Sequence, residues 1–264
     1  MPEFTAKDVQ ALRQSSGAGM MDAKKALQEN GGDAVAATTW LREKGLAKAS
    51  TRDDRDSSQG TVAVSHVDAS AAIAELKCET DFVAKSDQFA SLVTEIATIV
   101  AIEGEEAAAK KSAAIDDMKV VLKEKIELGR VVRITADEGN VVDTYLHRQD
   151  GRGVLGVIVE LKDGSAELAH EIAVHVAFTK ASHLSRDDVP AAEVAAEREV
   201  LVGITRAEGK PEAALDKIVE GRLTGWFKDR VLLEQPYVKD DKVTIAQLLG
   251  SASVVQFAVV AIGA

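Results

Sequence analysis

The sequence predicts an α+β fold in three parts: a small helical module, a core of two related strand–turn–strand–helix units, and a helical hairpin set into the second unit. Three observations carry this. Over residues 1–50, apolar residues recur at helical spacing between glycine breaks. In the rest of the chain, a strand-like and a helix-like stretch each occur twice. Further on, two helical runs meet at Gly209-Lys210-Pro211, a break that one continuous helix would not carry.

In the first part, Thr5 followed by Asp8 has the form of a capping signal, with Phe4, Val9 and Leu12 at helical spacing around it. Gly17 and Gly19 stop that helix, since glycine enters backbone conformations that other residues avoid. A second helix runs from about Met20 to Glu29 and ends at Asn30-Gly31-Gly32. Asp33 caps a third, which carries Val35, Trp40 and Leu41 and ends near Gly45. The stretch TRDDRDSSQG, residues 51–60, has no large apolar residue and reads as a linker. The expected domains are therefore 1–50, a first core unit at 61–139, and a second at 140–264 that includes the hairpin 191–229. Mild proteolysis is expected to separate the first of these at Arg52 or Arg55.

The repeat can be checked letter by letter. Ile73-Ala74-Glu75-Leu76-Lys77 recurs as Ile158-Val159-Glu160-Leu161-Lys162, and EIATIVA at 95–101 recurs as EIAVHVA at 171–177. The first pair is offset by 85 residues and the second by 76, so the first copy holds nine extra residues between strand and helix. They fall within 78–94, and an insertion on a repeated scaffold is a natural place for function. Residues 106–128 read as a charged helix closed by Gly129, 130–136 as a further strand, and 253–262 as a closing strand. In the hairpin, Val194, Leu201 and Ile204 are expected to face Leu215, Ile218 and Leu223.

Composition narrows the function. The chain has 264 residues, with 32 Lys and Arg against 43 Asp and Glu, for a net charge of −11. That balance argues against nucleic acid and anionic membranes, which need clustered basic residues. A single cysteine, Cys78, forms neither an internal disulfide nor a thiolate zinc site and points to a reducing compartment. The N-terminal residues lack a signal-peptide pattern and no apolar run reaches 18 residues, so a soluble cytoplasmic protein is expected. Gly151-Arg152-Gly153-Val154-Leu155-Gly156 matches a dinucleotide fingerprint in letters, but a β-branched strand follows where a helix would be needed. His170-Glu171 and His175 miss the zinc-protease spacing, because five helical steps set the two rings about 140° apart. No catalytic, cofactor or metal constellation emerges; the expectation is a binding protein and no enzyme.

Two segments stand out. In RQSSGAGMMDAKKAL, residues 13–27, Met20 and Met21 open a helix after a glycine loop. Neighbours on a helix point about 100° apart, so in so small a module at least one is free to contact a partner. In ETDFVAKS, residues 79–86, the extra residues of the first copy offer an aromatic ring beside a carboxylate. From composition alone, Phe82 and Val83 serve equally well as core residues or as a protruding contact.

SGAGMMDAKKAL, TDFVAK, the His-Val-Ala stretch at 175–177, VEGRL at 219–223 and QPYV at 235–238 closely resemble, in order and spacing, bacterial translation elongation factor Ts. That resemblance implies a ubiquitin-associated-like N-terminal module, a two-part dimerisation core with a homodimer in the complex, and a helical hairpin. It implies guanine-nucleotide exchange on the GTPase elongation factor Tu. By the same resemblance, Thr80, Asp81, Phe82 and Val83 press on the GTPase near its Mg²⁺ site, while Arg13, Met20, Met21 and His175 make further contacts. The competing reading is an adaptor carrying the same module without any effect on its partner's nucleotide.

Overall fold

The computed structural model describes residues 4–52 and 54–263; Met1–Glu3, Asp53 within the 51–60 segment, and Ala264 lie outside it. Three helices come first: α1 (Ala6–Ser16), α2 (Met20–Glu29) and α3 (Ala34–Ala49). Thr5 and Asp8 close a reciprocal capping box at the start of α1, and Gly17 ends it with φ of 68°. The Asp33 carboxylate accepts the N–H groups of Val35 and Ala36 and so caps α3. Val9, Leu12, Ala23, Leu27, Ala37 and Leu41 form a core private to these helices.

α3 does not stop near Gly45; it continues to Ala49. The glycine has a tertiary cause, since a Cβ there would stand 2.5 Å from Val120 Cγ1. The polar segment that follows lies against the core. Arg52 donates to the Lys119 carbonyl, and Ser57 donates to Glu127.

The first core unit contains β1 (Gln59–Val67), β2 (Ser70–Cys78), α4 (Asp81–Ala84), α5 (Asp87–Glu103), α6 (Ser112–Leu122) and β3 (Ile126–Thr135). The strands form an antiparallel sheet in the order β1-β2-β3. Alternation along β2 sends Ala72, Ala74 and Leu76 toward Phe89, Val93 and Ile96 of α5, and sends Ala71 and Ile73 to the opposite face. The helix expected over 106–128 is instead a 3₁₀ turn (Glu105–Lys111), then α6, which ends where Lys123 turns left-handed at φ 59°. Gly129 lies inside β3. It does not close a helix; a Cβ there would collide with the Glu75 carboxylate.

The second unit contains β4 (Val141–Gln149), β5 (Arg152–Lys162), α7 (Ala166–Thr179), α8 (Ala191–Ala207), α9 (Glu212–Arg230), β6 (Pro236–Tyr237), β7 (Asp240–Thr244), α10 (Ile245–Leu249) and β8 (Ser253–Ala261). Its main sheet has the order β4-β5-β8, again antiparallel, with α7 on one face. The free faces of the two sheets meet through Val62, Ile73, Ile134, Ile158 and Val260, giving layers of helix, sheet, sheet and helix. Ile73 and Ile158 lie on the central strands, and Ile99 and His175 on the covering helices. The glycines at 151–156 belong to the β4–β5 hairpin, as the following strand predicts. Gly151 takes φ of 82° in the turn, and a Cβ on Gly156 would press on Val64 and Ile73 of the opposing sheet.

α8 and α9 pack through Leu201, Leu215, Val219, Leu223 and Phe227. The row of every fourth residue on α9 makes the seam, so Val219 fills it where Ile218 was expected. Ile204, expected in the seam, is 45% exposed. Among the described residues, no helix is long and apolar enough to cross a membrane.

Candidate functional site

The strand-to-helix connection is longer in the first unit and holds a single helical turn, α4. β2 reaches α5 through residues 79–86, whereas β5 reaches α7 through 163–165 alone. Thr80 caps α4, its hydroxyl oxygen accepting the Val83 N–H. The same hydroxyl donates to Glu124 Oε1 at 2.6 Å, and the N–H groups of Glu79 and Thr80 both donate to Glu124 Oε2 at 3.1 Å. One carboxylate just past the end of α6 therefore holds the entire entrance to the turn. At its exit, the buried Thr61 hydroxyl donates to the Ala84 carbonyl at 2.6 Å.

With both ends fixed, the side chains divide. Val83 packs on the core of the first unit and Ala84 is fully buried there. Phe82 points away and is 84% exposed. Burying an aromatic ring is strongly favourable, so one held in water by a pinned backbone is available to a partner. Asp81 is half-buried beside it and pairs with Lys85 at 2.7 Å; the hydrogen bond from Lys85 holds its carboxyl below the ordinary value. Beneath lies a shallow hollow of about 440 Å³ lined by Gln59, Glu79, Thr80, Asp81, Lys85 and Arg152, with Phe82 at its rim. Cys78 lies in the core of the first unit, its thiol donating to the Thr80 carbonyl, and burial pushes its pKa up to about 12. It is a neutral packing residue.

The second segment is also on the surface. Met20 is 47% and Met21 74% exposed at the start of α2, so neither belongs to the module's core. Arg13 is exposed in the last turn of α1, one glycine loop away.

His175 behaves differently. It is fully buried in α7, where Nε2 meets Gln235 Oε1 at 2.9 Å and Nδ1 accepts the Val238 N–H at 3.4 Å. Burial lowers its pKa against the opposing influence of the Gln235 hydrogen bond, and the pattern fits a neutral ring. A surface contact by this ring is not what the structure holds; the ring fastens the 235–238 segment to α7. The exposed residue nearby is Phe178, 78% exposed, which sequence reasoning missed. Among the described residues, no group of three or more His, Cys, Asp or Glu could hold a metal ion.

Comparison with known proteins adds a lineage to this geometry. A family model described as elongation factor TS matches residues 79–264. The chain is 44% identical to elongation factor Ts of Thermobifida fusca, over 96% of this chain and 95% of the relative. It is 45% identical to that of Clavibacter michiganensis over the same shares, and 43% identical to that of Kineococcus radiotolerans over 96% of both. With a match of this length and closeness, the chain belongs to the elongation factor Ts family.

Proposed function

We propose that this protein is a guanine-nucleotide exchange factor for elongation factor Tu, and that it releases nucleotide by pressing Phe82 against the GTPase near its Mg²⁺ site. The observation that carries the reading is the exposed Phe82 ring on a turn whose two ends are pinned by Glu124 and Thr61. A rigid aromatic ring displaces packed elements without coordinating anything. Mg²⁺ demands near-ideal octahedral geometry, so a small displacement of its surroundings weakens the bound nucleotide.

Magnitudes set how much else is needed. A thousandfold acceleration takes about 4 kcal/mol of differential stabilisation. Burying one Phe supplies about 1.5–3 kcal/mol. Other contacts with the GTPase must supply the rest, while the exposed Met20 and Met21, with Arg13 behind them, are placed to anchor the complex. His175 contributes at one remove, by holding the 235–238 segment in place. The coupling is reciprocal: the factor binds the empty GTPase better than the loaded one to the same degree that it weakens nucleotide.

In this reading residues 1–50 are a ubiquitin-associated-like module joined through 51–60 to a duplicated core. The matching strand order of the two sheets supports the duplication. The protein performs no covalent chemistry, works in the cytoplasm on a protein partner, and needs no nucleic acid or membrane. Self-association in the complex is part of the same proposal and rests on family resemblance. The test is stopped-flow release of fluorescent GDP from elongation factor Tu. An exchange factor accelerates release, whereas an adaptor binds and leaves the rate unchanged.

A further inference from the structure

α6 touches both contact elements. On one face, Val120 lies where a Cβ on Gly45 of α3 would stand, and Val121 Cγ2 comes within 3.3 Å of the Cβ position of Gly17, at the mouth of the methionine loop. Asp117 pairs with Arg42 of α3 at 2.9 Å, and the Ala113 carbonyl accepts from the same guanidinium at 3.3 Å. The far side of α6 inserts Ile115 and Met118 into the core of the first unit. Just past its C-terminus, Glu124 holds the turn that carries Phe82.

We propose that α6 locks the N-terminal module and the Phe82 turn into one rigid frame, with Gly45 and Val120 as positioning residues, and that the module stays docked on α6 while nucleotide is released. The proposal rests on the exchange reading above. Its physical ground is the close approach at Gly45. A glycine in mid-helix disfavours the helix relative to alanine, and here it admits a neighbouring helix that any side chain would push away. Docking then presents Met20, Met21 and Phe82 to a partner already at fixed separation, which reduces the ordering cost of binding.

The test uses the full chain with two variants. The Gly45 Cβ position lies 3.2 Å from Val120 Cβ, a few tenths short of ordinary disulfide separation, so Gly45→Cys with Val120→Cys should cross-link on mild oxidation. Cys78 is buried with a raised pKa and will not compete. The oxidised protein should exchange nucleotide with a half-saturating concentration within about twofold of the unaltered chain. Gly45→Leu should pry the helices apart and raise that concentration by about tenfold, with release at saturation nearly unchanged, since only the presentation of contacts is lost. A merely structural role would lower the melting point without this split. Cysteines that fail to pair under oxidant would overturn the docking itself. Exchange lost on oxidation and restored by reductant would show that the module must swing free, and a Gly45→Leu protein with unchanged half-saturation would remove the positioning role. Absence of exchange by the unaltered chain would sink the functional reading and the positioning role together, while the cross-link yield still judges the docking.

Discussion

Glu75 and Glu160 stand at corresponding places in the two sheets. Each lies on the central strand two residues past an isoleucine of the inter-sheet seam, Ile73 or Ile158, where the register with the third strand shifts. Both are buried, and each turns back on the backbone of a neighbouring segment. Glu75 accepts the Arg130 N–H at 2.9 Å, and Glu160 accepts the Asp137 N–H at 3.0 Å. Glu160 also accepts from Asn140 and Gln256, both at 2.8 Å. Burial is the strongest single influence on Glu160 and opposes ionisation, yet the hydrogen bonds together hold its pKa below the ordinary 4.5.

A depressed folded-state pKa means that Glu160 contributes its stability in full above the unfolded value near 4.5, and loses it as pH falls through the lower folded value. Melting temperature should therefore drop on acidification below about pH 4.5, and Glu160→Gln should flatten that limb. At neutral pH the same change should cost roughly 1–3 kcal/mol, because a carboxamide places N–H groups where acceptors are required. Identical acid limbs for the two proteins would clear Glu160 of this role.

Glu124 offers a second test. Glu124→Ala leaves the Glu79 and Thr80 N–H groups and the Thr80 hydroxyl without their acceptor. The turn should loosen, with faster hydrogen exchange at those two amides and a stability loss of roughly 1–3 kcal/mol. Nucleotide release should slow about tenfold, since a mobile ring loses part of its binding energy to ordering. Fast amide exchange combined with full activity would mean that rigidity at Phe82 is not required.

What could be read from the sequence was what is decided locally. The box at Thr5 and Asp8, the left-handed Gly17 and the hairpin turn at Gly151 all depend on near neighbours. The same logic makes Gly45 and Gly129 look like helix ends, but each is a glycine because a distant side chain, Val120 or Glu75, occupies the space a Cβ would need. His175 finds its hydrogen-bond partner in Gln235, 60 residues away, and Thr80 owes its anchor to Glu124, 44 residues away. No local pattern carries such pairings. Phe82 and Val83 are adjacent and equally apolar, and only the pinned turn decides which faces water. Phe178 sits in an apolar helical stretch with no signal that it faces outward.

Cys78 reports on the same turn from within. With its pKa pushed up to about 12 and its side chain fully buried, the native thiol should resist Ellman's reagent at mildly alkaline pH and react only as the protein opens. Glu124→Ala should speed labelling through local opening at 79–84. Rapid labelling of the unaltered chain would contradict a turn held closed at both ends.

The sharpest contrast lies between two phenylalanines on consecutive helices. Phe82 is 84% exposed on α4, while Phe89 is fully buried at the start of α5 against β2. Phe89→Ala should cost roughly 3–5 kcal/mol, the range for emptying an aromatic core position. It should impair exchange only through the fraction unfolded. Phe82→Ala should change stability by no more than about 0.5 kcal/mol, as surface substitutions do. Its nucleotide release should nonetheless slow by tenfold or more, equivalent to about 1.4 kcal/mol of lost differential binding. Asp81→Ala should act in the same direction but more weakly, because its exposed pair with Lys85 contributes little. Met20→Ala should raise the half-saturating concentration and leave release at saturation nearly intact, as expected of an anchor that binds both states of the partner alike. Melting curves beside stopped-flow traces for the four variants decide the matter. A Phe82→Ala protein with normal exchange and a badly lowered melting point would make Phe82 a packing residue and leave the exchange reading without its wedge.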